Sequence, residues 1–266
     1  MKIALMDSGI GLLAAAAAVR RLRPDADLVL SSDPGTMPWG PRTPQDVTAC
    51  ALAVARAAAA HEPDALIVAC NTASVHALPA LRAELEPRLP VIGTVPAIKP
   101  AAAAGGPVAI WATPATTGSA YQRALIRDFA PSVAVTEVPC PGLADAVEHA
   151  DEAAVEAAVA AAADRTPDDV SAVVLGCTHY ELLAERIRTA VTDAPGRSTS
   201  AAPVALYGSA DAVAAHALRR IGEQPAPGAE PTGRLTVLLG GREAALSDEA
   251  LGYPEGQLLA AVTQVY

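Results

Sequence analysis

The chain has 266 residues, of which 52% are hydrophobic and 18% charged, and its formal net charge is −10 at pH 7. This length is enough for two moderate α/β domains, and the acidic balance argues against a nucleic-acid surface, which relies on clustered Lys and Arg. The first apolar segment soon meets Asp7, and no other segment is apolar for about the eighteen residues of a membrane span, so we expect a cytoplasmic protein without a signal peptide.

Apolar strands alternate with alanine-rich helices along the chain, which is typical of parallel βαβ units. Alanine is the best helix former, so its runs predict ordinary helices rather than disorder. Strands are predicted over residues 2–6, 27–31, 65–69, 91–93, 107–111, 133–138, 172–175, 204–207 and 235–239.

The alternation breaks at Pro100 and at the Gly105-Gly106 pair, and a fresh strand then begins. We therefore place a domain crossing in this segment and a second one near residues 195–203. The predicted domains are residues 1–95 with 207–266, and residues 96–206. The predicted fold class is α/β: two pseudo-symmetric domains with mainly parallel sheets, and an active site in the cleft between them.

Two cysteines follow apolar strands in matching contexts. Cys70 stands in ACNTAS and Cys177 in GCTHY, and each is followed by a predicted helix. Because parallel α/β sheets bind ligands beyond the carboxyl ends of their strands, one thiol from each half would face a shared substrate. A thiol at a helix N-terminus ionises readily, so one cysteine could remove a proton while the other returns one. The pair predicts proton exchange at a stereocentre.

The sequence favours chemistry without a cofactor. Pyridoxal phosphate needs a Schiff-base lysine, and the lysines are Lys2, which opens the first strand, and Lys99, in the crossing segment. Three other groups could manage the thiol protons, namely Asp7, Glu148 and His179. The four cysteines have no close spacing, which is typical of reduced thiols rather than of a disulfide framework.

Six motifs in register over most of the chain resemble the glutamate racemase family, within the wider aspartate/glutamate racemase superfamily. They are DSGIG from Asp7, PWG from Pro38, CNT from Cys70, VPAIKP from Val95, the segment from Pro139 to Glu148, and GCTHY from Gly176. The resemblance implies a cofactor-independent proton transfer between L- and D-glutamate that supplies D-glutamate for peptidoglycan. It also implies a homodimer.

The resemblance further implies a role for each motif residue. Cys70 would act on one face of the substrate Cα with Asp7 beside it, and Cys177 on the other face with the help of His179 and Glu148. Hydroxyls and backbone N–H groups at helix N-termini suit the substrate carboxylates. The residues implied to bind substrate are Asp7, Ser8, Trp39, Gly40, Asn71, Thr72, Thr113, Thr116, Thr178 and His179.

Four positions depart from the family pattern. Trp39 replaces the usual tyrosine, Leu12 a second glycine, Glu181 the proline after the tyrosine, and Gly208 an aspartate. None of them removes a predicted acid or base. Trp39 and Glu181 could reshape or recharge the rim of the site, so aspartate, a hydantoin or another acidic substrate stays open.

Simpler interpretations of the same residues also stay open. Either cysteine could be a small buried apolar residue, Asp7 a helix N-cap and Glu148 a solvated helix residue. Cys50 lies on an apolar helix face and Cys140 lies beside prolines, so both are predicted to be structural.

Other classes of protein are weaker alternatives. Cys177 and His179 have the spacing of two zinc ligands, but a closed zinc site needs four, so no metal is expected. The GIGLLA segment from Gly9, with Asp33 ending the next strand, fits a dinucleotide-binding fingerprint in outline and predicts NAD binding. A last alternative is a racemase-like protein that acts by binding a partner, since some glutamate racemases are associated with inhibition of DNA gyrase.

Overall fold

The computed structural model describes residues 1–194 and 203–261. The chain divides into two compact units, Met1–Val95 with Ser209–Tyr266, and Pro96–Gly208. Most of the predicted second crossing, near residues 195–203, lies outside the described residues.

The first unit begins with strands and helices in alternation. Thr43 starts the longest of these helices, because its side chain accepts the backbone N–H of Asp46 and Pro44 occupies the first helical position. The elements are β1 (Lys2–Asp7), α1 (Leu13–Leu22), β2 (Asp27–Ser32), α2 (Pro44–Ala59), β3 (Ala65–Val68), α3 (Asn71–His76), α4 (Leu78–Leu85) and β4 (Val91–Gly93).

The second unit repeats this alternation. Ser119 and Asp151 cap two of its helices by accepting the backbone N–H groups of Gln122 and Ala154. The elements are α5 (Ile98–Ala103), β5 (Val108–Ala112), α6 (Ala120–Phe129), β6 (Val135–Pro139), α7 (Leu143–Glu148), α8 (Glu152–Ala163), β7 (Ala172–Leu175), α9 (Thr178–Glu181), α10 (Ala184–Thr192) and β8 (Ala205–Tyr207).

The chain then returns to the first unit. All nine predicted strands are present, each within two residues of its expected bounds, and the described residues add one strand that was not predicted, β10. The returning elements are α11 (Ala210–Arg220), β9 (Leu235–Leu239), β10 (Arg242–Ala244), α12 (Asp248–Leu251) and α13 (Pro254–Ala261).

Each unit is built on its own sheet. The first has the order β10-β9-β2-β1-β3-β4, and only β10 is antiparallel to its neighbour; the second has the order β6-β5-β7-β8 and is parallel throughout. All residues of β3 and β7 are buried, as expected for central strands covered on both faces. The predicted α/β class with mainly parallel sheets is confirmed. Within residues 1–194 and 203–261, no helix combines the length and apolarity needed to cross a membrane.

Candidate active site

The two cysteines of the matching motifs occupy equivalent places in their units. Cys70 follows β3 and is the N-cap of α3, and Cys177 follows β7 and is the N-cap of α9. Both have extended backbones, with φ and ψ of −141° and 119° at Cys70 and of −137° and 137° at Cys177. Cys70 is buried and Cys177 is half-buried. Each thiol therefore lies at the turn from a central strand into a helix.

The glycine before the second cysteine is required by a close approach between strands. Its N–H donates to the Trp111 carbonyl oxygen at 2.7 Å, and a Cβ at Gly176 would lie 2.7 Å from that same oxygen. Any other residue would push β7 away from β5. The Gly-Cys dipeptide thus sets the position of the Cys177 thiol relative to the sheet.

In the first unit, the carboxylate of Asp7 lies at the same sheet edge as Cys70. Strands β1 and β3 pair in parallel with Met6 opposite Val68, so Asp7 and Cys70 both lie just beyond the paired segment. Asp7 is fully buried, and its Oδ1 accepts hydrogen bonds from the Ser8 N–H at 2.7 Å and the Ser8 hydroxyl at 3.2 Å. Gly9 is the N-cap of the helical turn that follows, so the interpretation of Asp7 as a helix N-cap is wrong.

A hydrogen-bond network next to Cys70 orients the Asn71 side chain. Its other members, Ser74 and Thr94, were not predicted from the sequence. The Asn71 Oδ1 accepts from the Thr94 hydroxyl at 2.9 Å, and the Ser74 hydroxyl lies 3.1 Å from that of Thr94. The Thr94 N–H donates to Ser74 Oγ at 3.0 Å. Asn71 and Thr94 are buried, whereas Thr72 is half-buried. The position of Thr94, directly after β4, was the available signal, because β4 adjoins β3 at the same sheet edge.

Trp39 lies in the core of the first unit. Its ring is 1% exposed, belongs to the apolar cluster that includes Met6 and Val47, and donates its indole N–H to Thr36 Oγ1 at 3.0 Å. Gly40, the next residue, is half-buried. The structure thus places the Trp39 ring in a core rather than at an exposed edge, and its role in binding substrate stays a prediction.

In the second unit, three candidate residues form a chain of polar contacts. His179 Nδ1 lies 3.9 Å from Cys177 Sγ, and His179 Nε2 lies 2.9 Å from Glu148 Oε2. The side chains of His179 and Glu148 are 5% and 9% exposed, so Glu148 is not a solvated helix residue. An ionised carboxylate only accepts hydrogen bonds, so Nε2 is the donor, and a neutral ring presents its Nδ1 lone pair to the thiol.

The predicted threonines of the second unit lie around this edge. Thr178 is buried, while Thr113 and Thr116 are half-buried in the segment after β5. The hydroxyl oxygens of Thr113 and Thr116 lie 3.2 Å apart, within hydrogen-bonding distance. Strand β5 pairs with β7, and Trp111 lies opposite Leu175, so this segment leaves the sheet at the same edge as Cys177.

The other two cysteines lie in or against the apolar core, as predicted. Cys140 is buried, and burial, followed by the effect of the Cys177 sulfur, raises the pKa of its thiol to about 12. Tyr180 is also buried and donates its hydroxyl to the Cys140 carbonyl oxygen at 3.3 Å; burial raises the pKa of this hydroxyl above its ordinary value. Cys50 packs against the apolar core of the first unit.

Two of the departures from the family pattern are neighbours in the structure. A Cβ at Gly208 would lie 2.5 Å from Glu181 Oε2, so the Glu181 side chain occupies the space where a side chain at position 208 would begin. Glu181 ends α9, two residues after His179. The two departures are therefore complementary, since the glycine makes room for the glutamate.

The described residues also bear on the zinc and dinucleotide alternatives. Among residues 1–194 and 203–261, no group of three or more His, Cys, Asp or Glu side chains is placed to hold a metal ion. The glycine-rich segment after β1 forms a 3₁₀ turn, Ile10–Leu12, before α1 begins at Leu13, and Gly11 is buried in it. A dinucleotide site would instead use glycines that open directly onto a helix N-terminus.

Comparisons with known proteins identify the family of the chain. Residues 11–217 match the family described as Asp/Glu/Hydantoin racemase. The chain is 39% identical over 199 residues to a glutamate racemase of Roseiflexus sp. (strain RS-1), and the match covers 72% of each chain. It is 35% identical over 227 residues to a glutamate racemase of Pseudomonas entomophila (strain L48), and this match covers 84% of this chain and 82% of that one. Its fold is similar to the crystal structure of Escherichia coli glutamate racemase in complex with L-glutamate and the activator UDP-MurNAc-ala, with a TM-score of 0.77, 26% identity, and coverage of 98% of this chain and 93% of that one.

Proposed function

The chain belongs to the Asp/Glu/Hydantoin racemase family, and from this premise we propose that it is a glutamate racemase that interconverts L- and D-glutamate without a cofactor. The observation that carries the proposal is the equivalent placement of Cys70 and Cys177, each at the turn from a central parallel strand into a helix. The product D-glutamate supplies peptidoglycan synthesis.

We propose that the two thiols act on opposite faces of the substrate Cα. One cysteine, as thiolate, takes the Cα proton and becomes a thiol, and the electron pair stays on the substrate as a carbanion. The other cysteine, as thiol, gives its proton to the opposite face and becomes a thiolate. The product leaves an enzyme in which the protonation states of the two cysteines are exchanged, so a reverse turnover or proton exchange with water must restore them.

The partners of Cys177 suit this exchange. With Glu148 accepting from His179 Nε2–H, the Nδ1 lone pair faces Cys177 Sγ and can take the thiol proton or return it. The Glu148 carboxylate fixes the orientation of the ring and stabilises the imidazolium that forms. Asp7, buried at the same sheet edge as Cys70, is our candidate for the corresponding role in the first unit.

The substrate carboxylates and ammonium group need polar partners. We propose that Asp7, Ser8, Asn71 and Thr72 supply them from the first unit, with Trp39 and Gly40. Thr113, Thr116, Thr178 and His179 supply them from the second. The support is that all of these residues except Trp39 and Gly40 lie at or just after the carboxyl ends of parallel strands, where α/β proteins bind ligands. Trp39 and Gly40 are included on the family resemblance alone.

Two further properties are part of the proposal. We place the enzyme in the cytoplasm, where all four cysteines would stay reduced, as they are in the structure. We also propose a homodimer on the strength of the family resemblance, which sedimentation equilibrium of the purified chain would test.

The proposal is tested by circular dichroism of purified protein with L-glutamate or D-glutamate and no added cofactor. Both signals should decay to zero, and Cys70→Ala and Cys177→Ala should each abolish the decay while the protein stays folded. L- and D-aspartate serve as comparison substrates. If only the aspartate signals decay, the substrate is aspartate and not glutamate. If none of the four enantiomers loses its signal, the proposal is overturned in favour of the partner-binding alternative.

A further inference from the structure

The segment from Thr113 to Ser119 is a compact loop with its own hydrogen bonds. The backbone N–H groups of Thr116 and Thr117 both donate to the Thr113 carbonyl oxygen at 2.9 Å, and the Ser119 N–H donates to the Thr116 carbonyl oxygen at 3.0 Å. These bonds hold the Thr113 and Thr116 hydroxyls close together. They do not fix the loop as a whole against the sheet.

Glu137, on the edge strand β6, makes that connection. Its Oε2 accepts the backbone N–H of Gly118 at 2.7 Å and the side-chain Nε2 of Gln122 at 2.6 Å. Gly118 belongs to the loop, and Gln122 lies in the first turn of α6. One carboxylate oxygen thus joins the loop, the helix after it and the sheet.

The environment of Gln122 indicates that the contact with Glu137 determines the orientation of the Gln122 side-chain amide. The side chain is 1% exposed, and its Oε1 has no hydrogen-bond partner among the described residues. Turning the amide over would bring this oxygen against the Glu137 carboxylate, and two acceptors repel. The amide therefore keeps a buried oxygen unpaired in order to donate to Glu137, although leaving such an atom unpaired is costly.

Gly118 adds a second constraint at the same point. Its φ of +69° lies in the left-handed region, where residues with a Cβ are strained, and this conformation turns its N–H toward Glu137. The contact with Glu137 thus depends on the backbone conformation of the loop itself.

We propose that Glu137 is a positioning residue of the racemase: it holds the 113–119 loop so that the Thr113 and Thr116 hydroxyls are preset to bind a substrate carboxylate. This inference rests on the proposed function, because it takes the two threonines as substrate-binding groups. Such contacts are made equally in the bound substrate and in the transition state, so losing their position raises KM more than it lowers kcat.

The test compares Glu137→Ala with Glu137→Gln. Alanine removes the acceptor, and KM for L- and D-glutamate should rise about tenfold, with kcat changed by less than about twofold. Both hydrogen bonds end on one oxygen, and the single amide oxygen of glutamine has two lone pairs, so Glu137→Gln should keep KM within about threefold of the parent value. Glu156→Ala, which removes an exposed carboxylate of the same unit, is the control. An unchanged KM in Glu137→Ala, or equal losses in the alanine and glutamine variants, would overturn the proposal.

A double-mutant cycle tests whether Glu137 acts through the threonines. In a Thr113→Ala/Thr116→Ala background, Glu137→Ala should raise KM by less than about twofold, whereas independent effects would multiply. Hydrogen exchange of the peptide that contains residues 113–119 gives a readout without turnover: exchange should be faster in Glu137→Ala and near normal in Glu137→Gln. If the parent protein fails to racemise glutamate, the proposed function fails. Unchanged exchange in Glu137→Ala would refute the positioning role independently of activity.

Discussion

His179 Nε2 lies 2.9 Å from Glu148 Oε2, and the two side chains are 5% and 9% exposed. The other ring nitrogen of His179 faces the Cys177 sulfur at 3.9 Å. The carboxylate at the end of α7 therefore determines which nitrogen of the imidazole is available to the thiol.

Glu148→Gln tests this arrangement. The new amide can donate to Nε2, which would move the ring proton to Nδ1 and turn a hydrogen-bond donor toward Cys177. We expect kcat/KM to fall by about 10²–10⁴, the range that general acid–base catalysis contributes, because His179 in the wrong tautomer cannot take the thiol proton. The equilibrium constant between L- and D-glutamate is one, so kcat/KM must fall by the same factor for L-glutamate and for D-glutamate. Asp145→Asn removes a charge from an exposed position of the same helix and should change kcat/KM by less than about twofold; a Glu148→Gln enzyme that matches this control would contradict the proposed role.

Thr94→Val tests the network next to Cys70. Valine keeps the shape of the side chain and removes the hydroxyl that donates to Asn71 Oδ1. The free energy of unfolding should fall by about 1 kcal/mol, and KM for glutamate should rise about fivefold because Asn71 loses its orientation. Thr94→Ser keeps the hydroxyl and should restore most of the KM. Equal KM values for the valine and serine variants would show that Asn71 is held without this bond.

The fit between Glu181 and Gly208 predicts a coupling energy. Gly208→Ala places a Cβ against the Glu181 carboxylate and should lower the free energy of unfolding by about 1 kcal/mol. In a Glu181→Ala background, Gly208→Ala should lower the free energy of unfolding by less than about half as much, because the Glu181 carboxylate no longer occupies the space of the new Cβ. Gly208→Asp should be worse than Gly208→Asn, because two like charges would be brought together. Urea unfolding of the six proteins measures these differences, and additive effects would mean that the two positions are independent.

The buried thiol of Cys140 predicts a dependence of stability on alkaline pH. Its pKa is raised to about 12 in the folded protein, from an ordinary value of 9.0. Below pH 9 the thiol is uncharged in both states; above it, the unfolded chain loses this proton first, so the free energy of unfolding falls as pH rises from 9 toward 12. Cys140→Ala should lose stability less steeply over this range than the parent protein and keep kcat/KM within about threefold at pH 8. Identical slopes would refute the assignment of the titration to Cys140.

Much of the fold could be predicted because it depends on local patterns. Buried parallel strands are short apolar runs, and helices rich in alanine separate them, so all nine predicted strands were found close to their expected bounds. Strand β10 was missed because its three exposed residues carry no apolar pattern. A signal was present, since Gly240 and Gly241 both have positive φ and form the two-residue turn between β9 and β10, which a Gly-Gly pair favours.

The site was predictable only in part. The end of a parallel strand fixes where Cys70 and Cys177 lie, so the sequence was sufficient to place each thiol in its own unit. Contacts between elements that are distant in the chain could not be predicted from the sequence. The hydrogen bond from Thr94 to Asn71 and the fit of Glu181 against Gly208 both depend on how separate segments meet after folding. The burial of Trp39 was also hidden, because it lies in a loop where no periodicity indicates which side faces the core.

The most direct test of the central claim, that Cys70 and Cys177 each serve one face of Cα, is racemisation in D₂O. L-Glutamate is the substrate, and deuterium at Cα is measured by mass spectrometry in both enantiomers at low conversion. Thiol protons exchange with solvent, so two bases predict deuterium in the D-glutamate product and almost none in the remaining L-glutamate. The experiment that starts from D-glutamate should give the mirror image. Equal deuterium in both enantiomers from the first turnovers would show that a single base serves both faces, and would contradict the account.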